Sequence, residues 1–205
     1  MSIEIFPMFA IGIGMEKCPQ ILPQARALFD ENKKFLNLIA DQKYYTTLTS
    51  YAKAKHTPDY KDSQNLKDVK NLIQKGAVEF LQKSGYFTGD SEITLNSLWL
   101  NEMPSGSSHH LHQHYGYQLS GCLYVDMPKD SGFISFINPC ENIPLSSTEA
   151  FEFTPYNSGM WRFIPAEGDL YFWRADLKHE VPFSEFEGIR RSIAFDINVA
   201  DNKGF

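Results

Sequence analysis

A mainly β fold of the α+β class is predicted: a jelly roll, sandwich or barrel with N-terminal helices packed against it. Three observations predict it. After residue 90 the chain carries seven or eight short apolar runs at the spacing of an antiparallel all-β domain. Turn formers such as Met127-Pro128-Lys129-Asp130-Ser131-Gly132, Asn138-Pro139 and Glu167-Gly168 separate these runs. Two stretches ahead of them repeat apolar residues at helical steps. The chain has 205 residues, 42% of them hydrophobic, and at that size folding buries roughly 70% of the unfolded surface. One domain over 1–205 is expected, with a helical buttress over 1–90 and a jelly-roll core over 91–200.

The first helical stretch contains Ile21, Leu22, Ala25, Leu28, Phe29, Phe35, Leu36 and Ile39 at mixed three- and four-residue steps. The second starts after Ser63-Gln64-Asn65, follows Leu66, Val69, Leu72, Ile73, Ala77, Phe80 and Leu81, and stops at Ser84-Gly85. Between them, polar Thr46–Asp62 with Pro58 reads as an extended loop. The strand series opens with Glu92–Glu102, which alternates apolar and polar residues for much of its length. Leu119–Val125, Phe133–Ile137, Met160–Ile164, Asp169–Trp173, Glu180–Phe183 and Ile189–Val199 follow.

Charge and cysteine content set several classes aside. The 19 Lys and Arg against 25 Asp and Glu leave a net charge of −6, and no run of five like charges occurs, so no nucleic-acid partner is expected. The longest nearly apolar stretch, Phe6–Met15, is half the length of a membrane span. Glu4 precedes it where a secretory signal would be positive. Cys18, Cys122 and Cys140 form no CxxC pair, which fits free thiols and a cytoplasmic location, with Cys122 a small core residue. The sequence does not fix the oligomeric state; a homodimer is the commonest assembly for a soluble enzyme of this size.

Of the six histidines, His109, His110, His112 and His114 lie within six positions, apart from His56 and His179. On a strand, His110, His112 and His114 would share a face, and any adjacent pair is a two-point chelate. Neutral imidazole suits Fe, Zn, Cu and Ni, and a third ligand from a distant strand would complete an open site. The polar loop Ser105-Gly106-Ser107-Ser108 precedes the cluster, so spacing alone leaves chelation and a solvated surface run equally open. His56, in a Lys-rich loop, reads as solvated. After His179 comes Arg190-Arg191-Ser192-Ile193. Arg190 and Ser192 share one strand face, and a guanidinium beside a hydroxyl is suited to holding a carboxylate.

The stretch His112-Gln-His114, then Ser120-Gly121, then Tyr124, resembles the signature of a family of iron(II)/2-oxoglutarate oxygenases. Gly168-Asp-Leu170 with Trp173, Leu177, His179 and Val181 is similar to the family's second block, and Arg190-x-Ser192-Ile-Ala-Phe195 to its closing strand. Ile5-Phe6-Pro7 is similar to its opening. The resemblance spans nearly the whole chain, most densely from 99 to 198.

It implies a double-stranded β-helix, a jelly-roll relative, with Fe(II) as metal and 2-oxoglutarate as cosubstrate. His112, His114 and His179 become the metal ligands and catalytic centre. Arg190 and Ser192 become the clamp on the cosubstrate's far carboxylate, and Tyr124 a further candidate there. The superfamily's usual carboxylate ligand is replaced by His114, which leaves more positive charge on the metal. His110 with His112 is the register-shifted alternative. The implied activity is hydroxylation of a peptide or small metabolite with release of succinate and CO2. Ser105–Leu111 and Glu141–Asn157, the latter with Phe151, Phe153 and Tyr156, are placed beside the site mouth.

Three other readings stay open. A cupin-like metal-binding jelly roll without 2-oxoglutarate would use the same histidines and need no Arg190 clamp. A non-catalytic interaction protein on an oxygenase fold would need neither. A zinc hydrolase tolerates three histidines but gives the Arg-x-Ser pair no role.

Overall fold

The computed structural model describes residues 3–6, 9–38, 48–50, 59–86, 91–140, 149 and 151–201. In chain order its elements are β1 (Gly14–Lys17), α1 (Leu22–Asn32), β2 (Asn37–Leu38), β3 (Leu48–Thr49) and α2 (Gln64–Lys83). Then come β4 (Ser91–Pro104), β5 (His109–His112), β6 (Leu119–Asp126), β7 (Ile134–Ile137) and β8 (Met160–Phe163). The last three are β9 (Asp169–Arg174), β10 (His179–Val181) and β11 (Ile189–Asp201).

The strands form a seven-stranded sheet, β1-β9-β6-β11-β4-β3-β2, and a four-stranded sheet, β5-β10-β7-β8. All pairings are antiparallel. Strands β4 to β11 divide evenly, with β4, β6, β9 and β11 in the large sheet and β5, β7, β8 and β10 in the small one. That division is the expected jelly roll.

Period-two alternation explains how the large sheet serves two cores. One face turns Leu98, Leu100, Leu123, Leu170, Ile193 and Phe195 toward the helices, where Ala25, Leu28, Val69, Ile73 and Ala77 join them in one apolar cluster. The other face turns Cys122, Tyr124, Tyr171 and Trp173 toward Ile134 and Phe136 of the small sheet. Each fully buried Leu, Ile or Phe contributes about 1.5–3 kcal/mol, which holds the helices against the large sheet.

Helix α2 starts where the sequence signals it. The Ser63 hydroxyl accepts from the Leu66 N–H at 3.2 Å and donates to Glu31 Oε2 at 2.6 Å, so the cap of α2 also ties it to α1. Helix α1 is shorter than the expected run to Ile39: it ends at Asn32, followed by a single 3-10 turn at Lys33–Phe35 and then β2. The cause is Asn32, whose buried side chain donates to the Leu28 carbonyl and accepts from the Lys61 N–H. Phe35 and Leu36 still pack on the core, so their spacing reported burial and not helix. Strands β1, β2 and β3 were not predicted; each is four residues or fewer, too short for a periodic signal. Of the expected loop Thr46–Asp62, residues 46, 47 and 51–58, His56 among them, lie outside the described residues.

Candidate metal and anion site

His112 ends β5 and His179 begins β10, and the two are directly opposed in the antiparallel ladder. Their ring centroids are 4.3 Å apart. His114 lies just past β5, held by its own N–H to the Ala175 carbonyl at 2.8 Å. Its ring stands 5.2 Å from that of His112 and 5.3 Å from that of His179. The ligand nitrogens of the three imidazoles lie within 4.8 Å of one another, a grouping that could hold a metal ion.

The hydrogen bonds fix which nitrogen faces inward. Nδ1 of His112 lies 2.6 Å from the His110 carbonyl, and Nδ1 of His179 lies 2.8 Å from the Leu177 carbonyl. Nδ1 of His114 lies 2.7 Å from Asp196 Oδ1. Each Nδ1 therefore faces an acceptor and carries the proton, which leaves Nε2 with its lone pair free. Nε2 of His114 is buried and has no partner among the described residues. Burial, reinforced by neighbouring His112, pushes His179 down to about 3, and burial also lowers His112. Neutral imidazole is the form that binds a metal, so the donor set fits one.

Aromatic rings wall this group. Trp173 lies 4.9 Å and Phe136 6.0 Å from His179, centroid to centroid, and Trp99 stacks on His114 at 5.7 Å. His110 is exposed and is not among the three clustered imidazoles. The shared face expected for His110, His112 and His114 fails because His114 lies beyond the strand and β5 is bulged. Opposite His179 and Val181 stand His112 and His109, three positions apart. A bulge re-aims side chains in this way. His109 thus lies 6.4 Å from the His112 ring, half-buried, and is pushed down to about 3 by burial, His112 and Arg190.

Further along the inward face of β11 lie Arg190 and Ser192, 2% and 6% exposed. Ser192 pairs across the ladder with Tyr124. The Arg190 guanidinium lies 5.3 Å from the Tyr124 ring centroid, and its Nη1 donates to the Ser131 carbonyl at 3.1 Å. Arg190 Nε is buried without a partner, and no carboxylate pairs with Arg190 among the described residues. Its neighbour Arg191, on the opposite face, bonds Glu102 at 2.8 Å and Asp126 at 3.3 Å. Desolvation pushes the Tyr124 phenol well above its ordinary range. The Cys122 thiol, hydrogen-bonded with Ser192 and Tyr124, is pushed up to about 11 by burial. All three cysteines are free, and Cys122 is the core residue the sequence suggests.

Ser105 and Gly106 are tied to 184–186, at the end of the barrel where Pro104 pairs with Ile189, beyond Arg190 and away from the three histidines. Residues 141–148 and 150 of the second expected mouth segment lie outside the described residues, and Phe151, Phe153 and Tyr156 are exposed. Sequence reasoning missed Asp196 and gave Ser120 and His109 no individual role. Asp196 was detectable, because its parity on β11 is that of Arg190 and Ser192.

A jelly roll with three imidazoles grouped inside it, and a buried guanidinium without a counter-ion farther along the same interior, is the class of arrangement that could hold a metal ion and an anion. The comparisons with known proteins narrow this class. Residues 97–196 match a family model described as "Putative 2OG-Fe(II) oxygenase". That span, just under half of the chain, is thus similar to the 2-oxoglutarate/iron(II) oxygenases, and the three grouped imidazoles are compatible with such a metal. No curated protein matches the chain.

Solved structures share the fold. A Pseudomonas putida prolyl-4-hydroxylase aligns at TM-score 0.63 and 13% identity, over 92% of this chain and 93% of that one. A Trichoplax adhaerens prolyl hydroxylase in complex with a hypoxia inducible factor oxygen degradation domain peptide fragment aligns at 0.59 and 12%, over 91% and 83%. HygX from Streptomyces hygroscopicus, with nickel, 2-oxoglutarate and hygromycin B bound, aligns at 0.59 and 11%, over 92% and 83%. No helix among the described residues is long and apolar enough to cross a membrane.

Proposed function

We propose that this oxygenase hydroxylates a peptide or small-metabolite substrate, holding iron(II) with His112, His114 and His179 and 2-oxoglutarate with Arg190 and Ser192. The observation that carries the reading is Arg190. A buried guanidinium without a counter-ion costs several kcal/mol, and its place on the inward face that leads to the imidazoles gives that cost a purpose. Tyr124 adds a neutral phenol beside it, since burial keeps the proton on. The prolyl hydroxylase peptide complex and the hygromycin B complex support the two substrate classes.

Bound there, the metal and cosubstrate supply one chemistry: dioxygen cleaves 2-oxoglutarate to succinate and CO2 and places one oxygen atom in a substrate C–H bond. The chain's own residues do the positioning. Three Nε2 lone pairs would hold the metal, while the Nδ1 bonds lock each ring plane. Arg190 and Ser192 fix the far carboxylate and so the cosubstrate's direction along the barrel. Trp173 and Phe136 keep water away from the His179 side.

The test is an anaerobic titration of metal-free protein with Fe(II) and then 2-oxoglutarate, following the visible charge-transfer band, with succinate release scored over peptide and metabolite panels. A saturable band, lost in Arg190→Ala and in His179→Ala, is expected. Iron binding without a band would favour the cupin-like alternative.

A further inference from the structure

We propose that Asp196 is a positioning residue that supplies, one hydrogen bond behind His114, the negative charge that a three-histidine ligand set lacks. The inference rests on the metal-centre reading above and assigns a residue outside its ligand set.

Three observations carry it. First, the three imidazoles are not equivalent: His112 and His179 present Nδ1 to backbone carbonyls, whereas His114 presents it to a carboxylate oxygen at 2.7 Å. Second, that carboxylate is built in. Asp196 is 3% exposed, and Ser120, its cross-strand partner on β6, donates its hydroxyl to the same Oδ1 at 2.6 Å. Third, among the described residues no lysine or arginine pairs with Asp196, which leaves the His114 ring as the nitrogen donor beside it.

A buried carboxylate is costly unless paired, and here its partner is a ring whose other nitrogen, also buried, is unsatisfied. An anionic acceptor on Nδ1–H polarises the imidazole, makes Nε2 a better donor and holds the ring plane. The charge that a carboxylate ligand would bring into direct contact with the metal is thereby moved one imidazole outward. Ser120 holds the carboxylate in place from the neighbouring strand.

The test uses cobalt(II) as probe on the full metal-free chain, with affinity measured by chelator competition and geometry by the visible d–d bands. Asp196→Asn keeps an acceptor oxygen and removes the charge. It is expected to weaken cobalt binding by about 10- to 100-fold with a shifted spectrum, while circular dichroism confirms the fold. Ser120→Ala is expected to weaken binding by a few-fold and keeps the idea testable if Asp196→Asn does not fold; an unchanged constant in Ser120→Ala would then overturn it. Wild-type affinity and spectrum in Asp196→Asn would make the pair merely structural and sink the inference alone. Failure of the unaltered protein to bind cobalt would overturn the metal-centre reading and this inference with it.

Discussion

His112 and His179 are cross-strand partners at the β5–β10 junction, with ring centroids 4.3 Å apart. The pairing joins two residues far apart in sequence and makes a local histidine run part of a candidate metal centre. It also separates His112 from His110, whose carbonyl only orients the His112 ring.

Single substitutions should sort the histidines accordingly. His112→Ala and His179→Ala are expected to abolish tight Fe(II) binding, since each removes one of three nitrogens. His110→Ala is expected to keep wild-type affinity, because its ring lies outside the three grouped imidazoles. Calorimetric titration of metal-free variants checks both.

Arg190 should show opposite effects on stability and function. Arg190→Met removes a buried charge without a carboxylate partner, so the melting temperature is expected to hold or rise. The affinity for 2-oxoglutarate is expected to fall by about 30-fold or more, the scale of losing one side of a buried charged contact. Thermal melts and the anaerobic charge-transfer titration read the two effects separately.

The acid limb of stability should report the buried imidazoles. His109 and His179 are held near 3 in the folded protein against an ordinary value of 6.5. Between those values the unfolded chain binds protons that the folded chain does not, so stability falls as pH drops from about 6.5 toward 3. The melting temperature of metal-free protein is expected to decline across that window by several degrees or more. His109→Phe should flatten the decline, as melts at stepped pH would show.

Gly121 has no room for a side chain: a Cβ there would collide with the Phe195 ring and the Tyr171 carbonyl. Gly121→Ala is expected to destabilise the fold by at least about 1–3 kcal/mol, because a strand must move to relieve it. Denaturant unfolding would measure this, and a loss below about 0.5 kcal/mol would contradict the packing.

Much of the fold was legible because it is written locally. Alternation along Leu119–Val125 and Ile189–Val199 marked strands with two differently used faces, and it placed Arg190 with Ser192 and apart from Arg191. The approach to α2 was legible in Ser63-Gln64-Asn65, where the structure forms a short-range cap between Ser63 and Leu66. The end of α1 was not legible, since Asn32 stops it partly by binding the backbone of Lys61. β2 and β3 exist only as additions to the edge of the large sheet, with β3 pairing to β4.

By itself, then, the sequence determined the residue types and their strand parity: imidazoles able to bind a metal, and a guanidinium and hydroxyl on one strand face suited to a carboxylate. Tertiary structure alone decided which imidazoles converge, that a bulge turns His109 inward, and that Asp196 stands behind His114. The reason is physical. Side-chain parity follows from the two-residue repeat of a single strand, whereas convergence depends on the register between strands distant in the chain, which is set by packing across the whole barrel.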